Sequence, residues 1–182
     1  VSVALIAFFA FIFKYFPKNF ESVAGNLVIL MSLLCIFTNV STINFTNNKI
    51  STQKGAIYTQ KSYATSTNKL IEYLKTQTNM DDKVVIFPEG MTVNFLANRK
   101  SDDFYNSLLP LYIETFGEER IIEHYKKEMP EYIILNNLDM KDYYFRYICQ
   151  DYALRFCEFV NNNYNLENII DNEFRYLIFK RK

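Results

Sequence analysis

KVVIFPEG, residues Lys83 to Gly90, is the stretch on which the architecture turns. Its apolar, β-branched run is only as long as a strand and is closed by Pro-Glu-Gly. Such a run predicts a strand buried on both faces. EYIILNN, Glu131 to Asn137, repeats the pattern just after Met129 and Pro130. Between the two, MTVNFLAN (residues 91–98) reads as a short helix with Val93, Leu96 and Phe95 inward, and SDDFYNSLLP (residues 101–110) as a loop. A helix over Glu118 to Glu128 follows, with acids in its first turn and lysines in its last, as the helix dipole favours. Upstream, Asn79, Asp81 and Asp82 form a turn. Before it, Thr67 or Asn68 starts a helix to about Thr76 with Leu70, Ile71 and Leu74 on one face. Downstream come an aromatic helix from about Tyr144 to Asn161, a turn, and a closing strand, Phe174 to Phe179. The alternation predicts a small three-layer α/β domain over residues 64–182. Its short sheet is expected to be mainly parallel, with the last strand at an edge.

The sequence ahead of this domain differs in kind. Residues 1–48 carry only Lys14, Lys18 and Glu21 as charged side chains. Val1 to Phe13 (VSVALIAFFAFIF) reads as a membrane span whose beginning is missing, since at ~1.5 Å per residue it reaches about 20 Å of a ~30 Å hydrocarbon core. A signal peptide is the competing reading of the same length, but no basic segment precedes it and no A-x-A-like site follows. Val23 to Val40 (VAGNLVILMSLLCIFTNV) reads as a second, complete span. Lys14 to Ser22, with helix-breaking Pro17, would connect the two. The expectation is a transmembrane hairpin over residues 1–41, an Asn/Thr/Ser-rich connector over residues 42–63, and the α/β domain beyond. Lys14 and Lys18 place the hairpin loop on the cytoplasmic side and the large domain outside. Two N-x-S/T sequons, at Asn39 and Asn44, follow the second span. An initial Val rather than Met marks the chain as an expected fragment or processed product.

Composition and motifs exclude more than they assign. With 20 basic and 20 acidic side chains, the formal charge is zero, which argues against nucleic acid as a partner. Four glycines, at 25, 55, 90 and 117, build no phosphate loop and no nucleophile elbow. His124, the one histidine, sits beside Lys126 and Lys127 and reads as part of a solvated helix face. Asp81–Asp82 and Asp102–Asp103 read as turns and caps rather than metal ligands. Cys35, Cys149 and Cys157 lack metal-ligand spacing. On one continuous helix Cys149 and Cys157 would be ~12 Å apart, too far for a disulfide, so all three read as apolar filler. The basic end, Lys180 to Lys182, reads as solvated. No cofactor or metal is expected.

One local element has functional character. Pro88-Glu89-Gly90 puts Glu89 at the carboxyl end of a parallel strand, the edge where open α/β sheets collect ligands. Asn94 and Arg99 follow within reach. A carboxylate, an amide and a guanidinium suit sugar hydroxyls or a phosphate. The competing reading gives Glu89 to the helix N-terminus and Arg99 to an ion pair.

These runs also carry a family resemblance. VVIFPEGMTVNFLANRKSDDFYNSLLP, ERIIEHYKKEMPEYIILNN and DYALRFCEFVNNNY together resemble the C-terminal region of bacterial polytopic glycosyltransferases of the GT-C type, the protein mannosyltransferase-like and aminoarabinose transferase-like enzymes. The matching elements are Pro88-Glu89-Gly90, then Asn94, Leu96 and Arg99, then Pro130 with Tyr132 to Leu135, and last Asn163-Tyr164, over about residues 65–180. The resemblance implies an integral plasma-membrane enzyme that moves a sugar from a polyprenyl-phosphate donor to a glycan or protein acceptor outside the cytoplasm. The catalytic acid of such enzymes lies in an early outer loop that would precede Val1, so no catalytic residue carries over. The domain would then cap the site beside the bilayer, with Glu89, Asn94 and Arg99 as substrate-binding candidates. The alternative is a membrane-anchored binding or scaffold domain without chemistry of its own.

Overall fold

The structure, a computed structural model, describes residues 21–45, 47–101 and 104–182, in two compact units, Val1–Thr46 and Asn47–Lys182. In the first unit the described element is one helix, α1 (Glu21–Phe45). No helix among the described residues is long and apolar enough to cross a membrane, which corrects the expectation of N-terminal transmembrane helices where it falls on Val23 to Val40. The unbroken run between the polar residues of α1 is short. Asn26 and Thr38 bound the run from Leu27 to Phe37, whose rise is about 17 Å against a ~30 Å hydrocarbon core. The expected first span, Val1 to Phe13, lies outside the described residues, as do Asp102 and Asp103.

The second unit begins in what reads from sequence as a plain connector. It holds a hairpin, β1 (Asn48–Thr52) and β2 (Gly55–Thr59), antiparallel with Ile50 opposite Ile57. Gly55 has a φ of +143°, so the turn falls on a residue without a Cβ. Ile50 is buried and anchors the hairpin to the next helix, α2 (Lys61–Gln77). That helix buries Ala64, Thr67, Leu70, Ile71 and Leu74, one stripe at helical spacing.

The sheet is mixed, which corrects the mainly parallel one. Its strands are β3 (Val84–Phe87), β4 (Tyr132–Asn136), β5 (Tyr164–Ile170) and β6 (Tyr176–Arg181), in the order β3-β4-β6-β5. Only β3 and β4 pair in parallel; β6 is antiparallel to both β4 and β5. An apolar run buried on both faces marks a covered strand but neither its direction nor its place, since β3 is fully buried yet ends the sheet, so the two buried strands are compatible with either kind of sheet. The closing strand is not an edge, because β5 flanks it. β5 escapes sequence reading because its five middle residues are all exposed and show no alternation.

Alternation along the strands builds two cores. Val84 and Ile86 of β3 join Tyr132 and Ile134 of β4 and Tyr176 and Ile178 of β6 beneath α2 and α3 (Met91–Ala97). Val85, Phe87, Ile133, Leu135 and Phe179 face the other way, toward α5 (Glu118–Glu128) and α6 (Leu154–Asn163). Phe87 is the aromatic centre of that second core, edge-on to Tyr125 at 5.6 Å and to Phe156 at 5.3 Å. The short helix α4 (Pro110–Phe116) starts on the last residue of the expected loop, with Pro110 at its start where a missing N–H costs nothing.

The aromatic helix starts later than its periodicity implies. Tyr144, Cys149 and Ala153 have φ of +64°, +68° and +56°, so residues 144–153 fold back in turns and α6 begins at Leu154. This removes the premise that kept the cysteines apart. Cys149 and Cys157 lie 5.6 Å apart at Cα and form a disulfide. His124 also differs from its solvated reading: its ring packs against Tyr105 and Tyr125, each at 5.1 Å, and against Phe104 at 6.0 Å.

Gly90 is required by close approach. A Cβ there would collide with Cβ and Cγ2 of Ile86 and with its carbonyl oxygen. Gly90→Ala is expected to cost about 1–3 kcal/mol, read as a lower urea midpoint at unchanged slope. A second expectation concerns alkali. Tyr164 donates to the Pro130 carbonyl at 3.1 Å and Tyr176 shares a 3.0 Å hydrogen bond with Thr67, both in the core. Burial pushes both phenols above their ordinary value. The folded chain therefore holds these protons more tightly than the unfolded one. Stability should be unaffected below about pH 10 and then fall by about 1.4 kcal/mol per pH unit per tyrosine. Tyr164→Phe and Tyr176→Phe should each make the alkaline fall in stability, followed by circular dichroism in urea, less steep; the same fall in parent and both variants would contradict this.

Candidate functional site

The carboxyl edge of the parallel pair is built from backbone groups tied down on every side. The Phe87–Pro88 peptide is cis. The Pro88 carbonyl accepts from the Leu108 amide at 2.9 Å and the Ser107 hydroxyl at 3.2 Å. The Glu89 carbonyl accepts from the Asn136 side-chain amide at 3.1 Å, and Asn136 in turn accepts from the Leu138 amide at 3.0 Å. Asn136 is buried at the end of β4, so its amide locks the ends of the two parallel strands together. With its backbone thus held, the Glu89 side chain projects exposed from the strand end.

The other two candidates serve the fold. Asn94 is buried; it donates to the Val84 carbonyl at 2.6 Å and stitches α3 onto β3. Arg99 clasps the carboxyl ends of two helices. Its Nη2 donates to the carbonyls of Leu74 at 2.6 Å and Thr78 at 2.9 Å, and its Nη1 to those of Ala97 at 3.1 Å and Asn98 at 3.0 Å. Nε adds a bond to the Thr78 hydroxyl at 2.6 Å. Last-turn carbonyls lack partners within their own helix and sit at the negative end of its dipole, so a guanidinium is suited to hold two such ends. Of the three residues singled out in the sequence, only Glu89 faces outward with its functional group uncommitted to the backbone.

A residue that sequence reading passed over stands beside it. Tyr152 is 6% exposed, and its hydroxyl is shut from solvent with no hydrogen-bond partner. Burial raises its phenol first, and the Glu89 charge raises it further, so the carboxylate lies within electrostatic reach of the hydroxyl. The ring formed by the Cys149–Cys157 disulfide holds Tyr152 in place, helped by a 3.0 Å bond from the Cys149 amide to the Tyr152 carbonyl. Arg146 and Asp151 close the preceding turn, the amide of the first donating to the carboxylate of the second at 2.8 Å. The sequence signal for this arrangement was the cysteine pair, read under the wrong backbone.

Chemically, the edge offers a carboxylate that accepts and a phenol that can donate, fixed on a rigid sheet end. That pairing suits a hydroxyl-bearing ligand. Among the described residues no group of three or more His, Cys, Asp or Glu side chains could hold a metal ion.

Opening the disulfide tests how firmly the Tyr152 ring is held. For so short a loop the chain-entropy relation gives about 2.5 kcal/mol of stabilisation. Replacing Cys149 and Cys157 together by Ser should lower stability by that order in urea melts, and dithiothreitol should do the same to the parent chain but not to the double variant. The chain matches no protein-family model and no curated protein.

Proposed function

We propose that the unit Asn47–Lys182 is an acceptor-binding module of an extracytoplasmic glycosyltransferase, which receives its sugar from a polyprenyl-phosphate donor. The module holds a glycan hydroxyl between Glu89 and Tyr152 and leaves bond breaking to other parts of the enzyme. The observation that carries this reading is the buried Tyr152 hydroxyl, left without a partner within electrostatic reach of an exposed carboxylate at the ligand-collecting edge of a parallel strand pair. An unpaired buried hydroxyl costs about 1–3 kcal/mol, and a ligand that accepts from it removes that cost. The resemblance of residues 65–180 to transferase tails supplies the reaction class. The Cys149–Cys157 disulfide supports a location outside the cytoplasm, because such bonds persist in oxidising compartments.

The test is a titration of the 182-residue chain with mono- and oligosaccharides, followed by NMR. Ligand should shift the amides around Glu89, Ser107 and Tyr152. Glu89→Gln and Tyr152→Phe should each weaken binding at least about fivefold, the loss of roughly one hydrogen bond. Tyr152→Phe should also hold or raise stability, since it deletes a hydroxyl that has no partner, so reduced binding cannot be put down to unfolding. Equal affinity in parent and both variants would sink the proposal.

A further inference from the structure

A second polar concavity lies away from Glu89, toward the amino ends of β3 and β4. It is a groove of about 480 Å³ between α2 and the edge strand β5. Its walls are Lys69, Glu72, Tyr73, Thr76 and Gln77 from one face of α2, and Glu167 and Asn168 from β5. The helical spacing of the first five aligns them in a row along the groove.

All seven side chains carry hydrogen-bonding groups, and no aliphatic side chain lines the space. Some are engaged within the protein. Thr76 donates to the carbonyls of Glu72 at 3.0 Å and Tyr73 at 3.2 Å. Glu167 faces Lys180 at 3.8 Å, and the Asn168 side chain accepts from the Ile169 amide at 2.8 Å. The Tyr73 hydroxyl is shut from solvent and faces the Glu167 carboxylate, close to hydrogen-bond reach but outside normal geometry. The Glu167 carboxylate is near enough to add to the upward push that burial gives the Tyr73 phenol.

The composition of the lining selects a ligand class. Glu72 and Glu167, against Lys69 on the wall and Lys180 beside Glu167, leave no net positive charge to draw a phosphate or other anion. Among the described residues the groove lies in no cluster able to hold a metal ion. An apolar ligand would leave polar walls unpaired. A saccharide answers each objection, because every hydroxyl both donates and accepts: donors go to Glu72 and Glu167, acceptors to Lys69, Gln77 and the Tyr73 hydroxyl. The volume lies within the ~300–1,000 Å³ span of small-ligand sites. Addition of a strand along β5 is the weaker use of this edge, since the shift in register between Leu166 and Asn168 and the Asn168 bond to the Ile169 amide interrupt it.

We infer that the α2–β5 groove is a second saccharide site, separate from Glu89 and Tyr152. It would seat one part of an extended glycan or an independent sugar, and it stands whether or not the site at Glu89 does.

The experiment uses the same 182-residue chain, labelled with nitrogen-15 and titrated with neutral mono- and oligosaccharides, with inorganic phosphate as a contrasting probe. Sugar should shift the amides of Lys69 to Gln77 and of Glu167 and Asn168, and phosphate should not. Glu72→Gln, an exposed change that leaves the core untouched, should weaken binding at this groove at least fivefold; Tyr73→Phe should do the same while the chain stays folded. Glu89→Gln should leave groove affinity within twofold, which separates failure of this site from failure of the other. The inference is overturned if no sugar shifts these amides, if Glu72→Gln and Tyr73→Phe bind as the parent does, or if phosphate binds there in place of sugar.

Discussion

The parallel register of β3 and β4, with Val84 opposite Tyr132 and Phe87 opposite Leu135, is the constraint from which the rest of the Asn47–Lys182 unit follows. Both strands are buried along their whole length, so each must be covered on two faces. Parallel neighbours cannot be joined by a tight turn, and the long crossover supplies α3, α4 and α5. Strand alternation then assigns each side chain to one core or the other. The pair also ends at one edge, where Asn136 ties its two strands together and Glu89 leaves the sheet.

Local chemistry explains why three polar residues that look alike in sequence have different fates. Asn94 lies within, and Arg99 just after, a short helix that must be pinned to a strand and to the carboxyl end of α2, and backbone carbonyls take up most of their donors. An amide and a guanidinium are as suited to carbonyls as to sugars, so residue type alone does not separate the roles. Glu89 is different because a carboxylate only accepts, and its own backbone position is already satisfied. Its side chain is therefore left for solvent or a ligand.

Polar groups whose partners are missing are what draw attention to both proposed sites. Tyr152 holds its hydroxyl away from water without a hydrogen bond, and Tyr73 holds its own facing Glu167 outside normal hydrogen-bond geometry, both costly in a fold that elsewhere pairs Tyr164 and Tyr176. In each case a carboxylate stands nearby, Glu89 for the first and Glu167 for the second. Neither pairing is visible in the sequence, because Glu89 and Tyr152 are joined only through the folded sheet and the disulfide ring, and Tyr73 and Glu167 lie on elements far apart in the chain.

Elements whose signals are local are legible in the sequence. These are the two buried strands, the amphipathic stripe of α2, the dipole-matched α5, and the strand-end position of Glu89, since apolar run length, helical spacing and Pro-Glu-Gly act within a few residues. Tertiary structure alone decided the direction of β6, the existence of β5 and the course of residues 144–153. Strand direction depends on the neighbour chosen. An exposed edge strand needs no apolar pattern, because it is held by hydrogen bonds to β6. The positive φ at Tyr144, Cys149 and Ala153 breaks a helical period that their side chains would otherwise continue, and that break brings Cys149 to Cys157 and Tyr152 to Glu89.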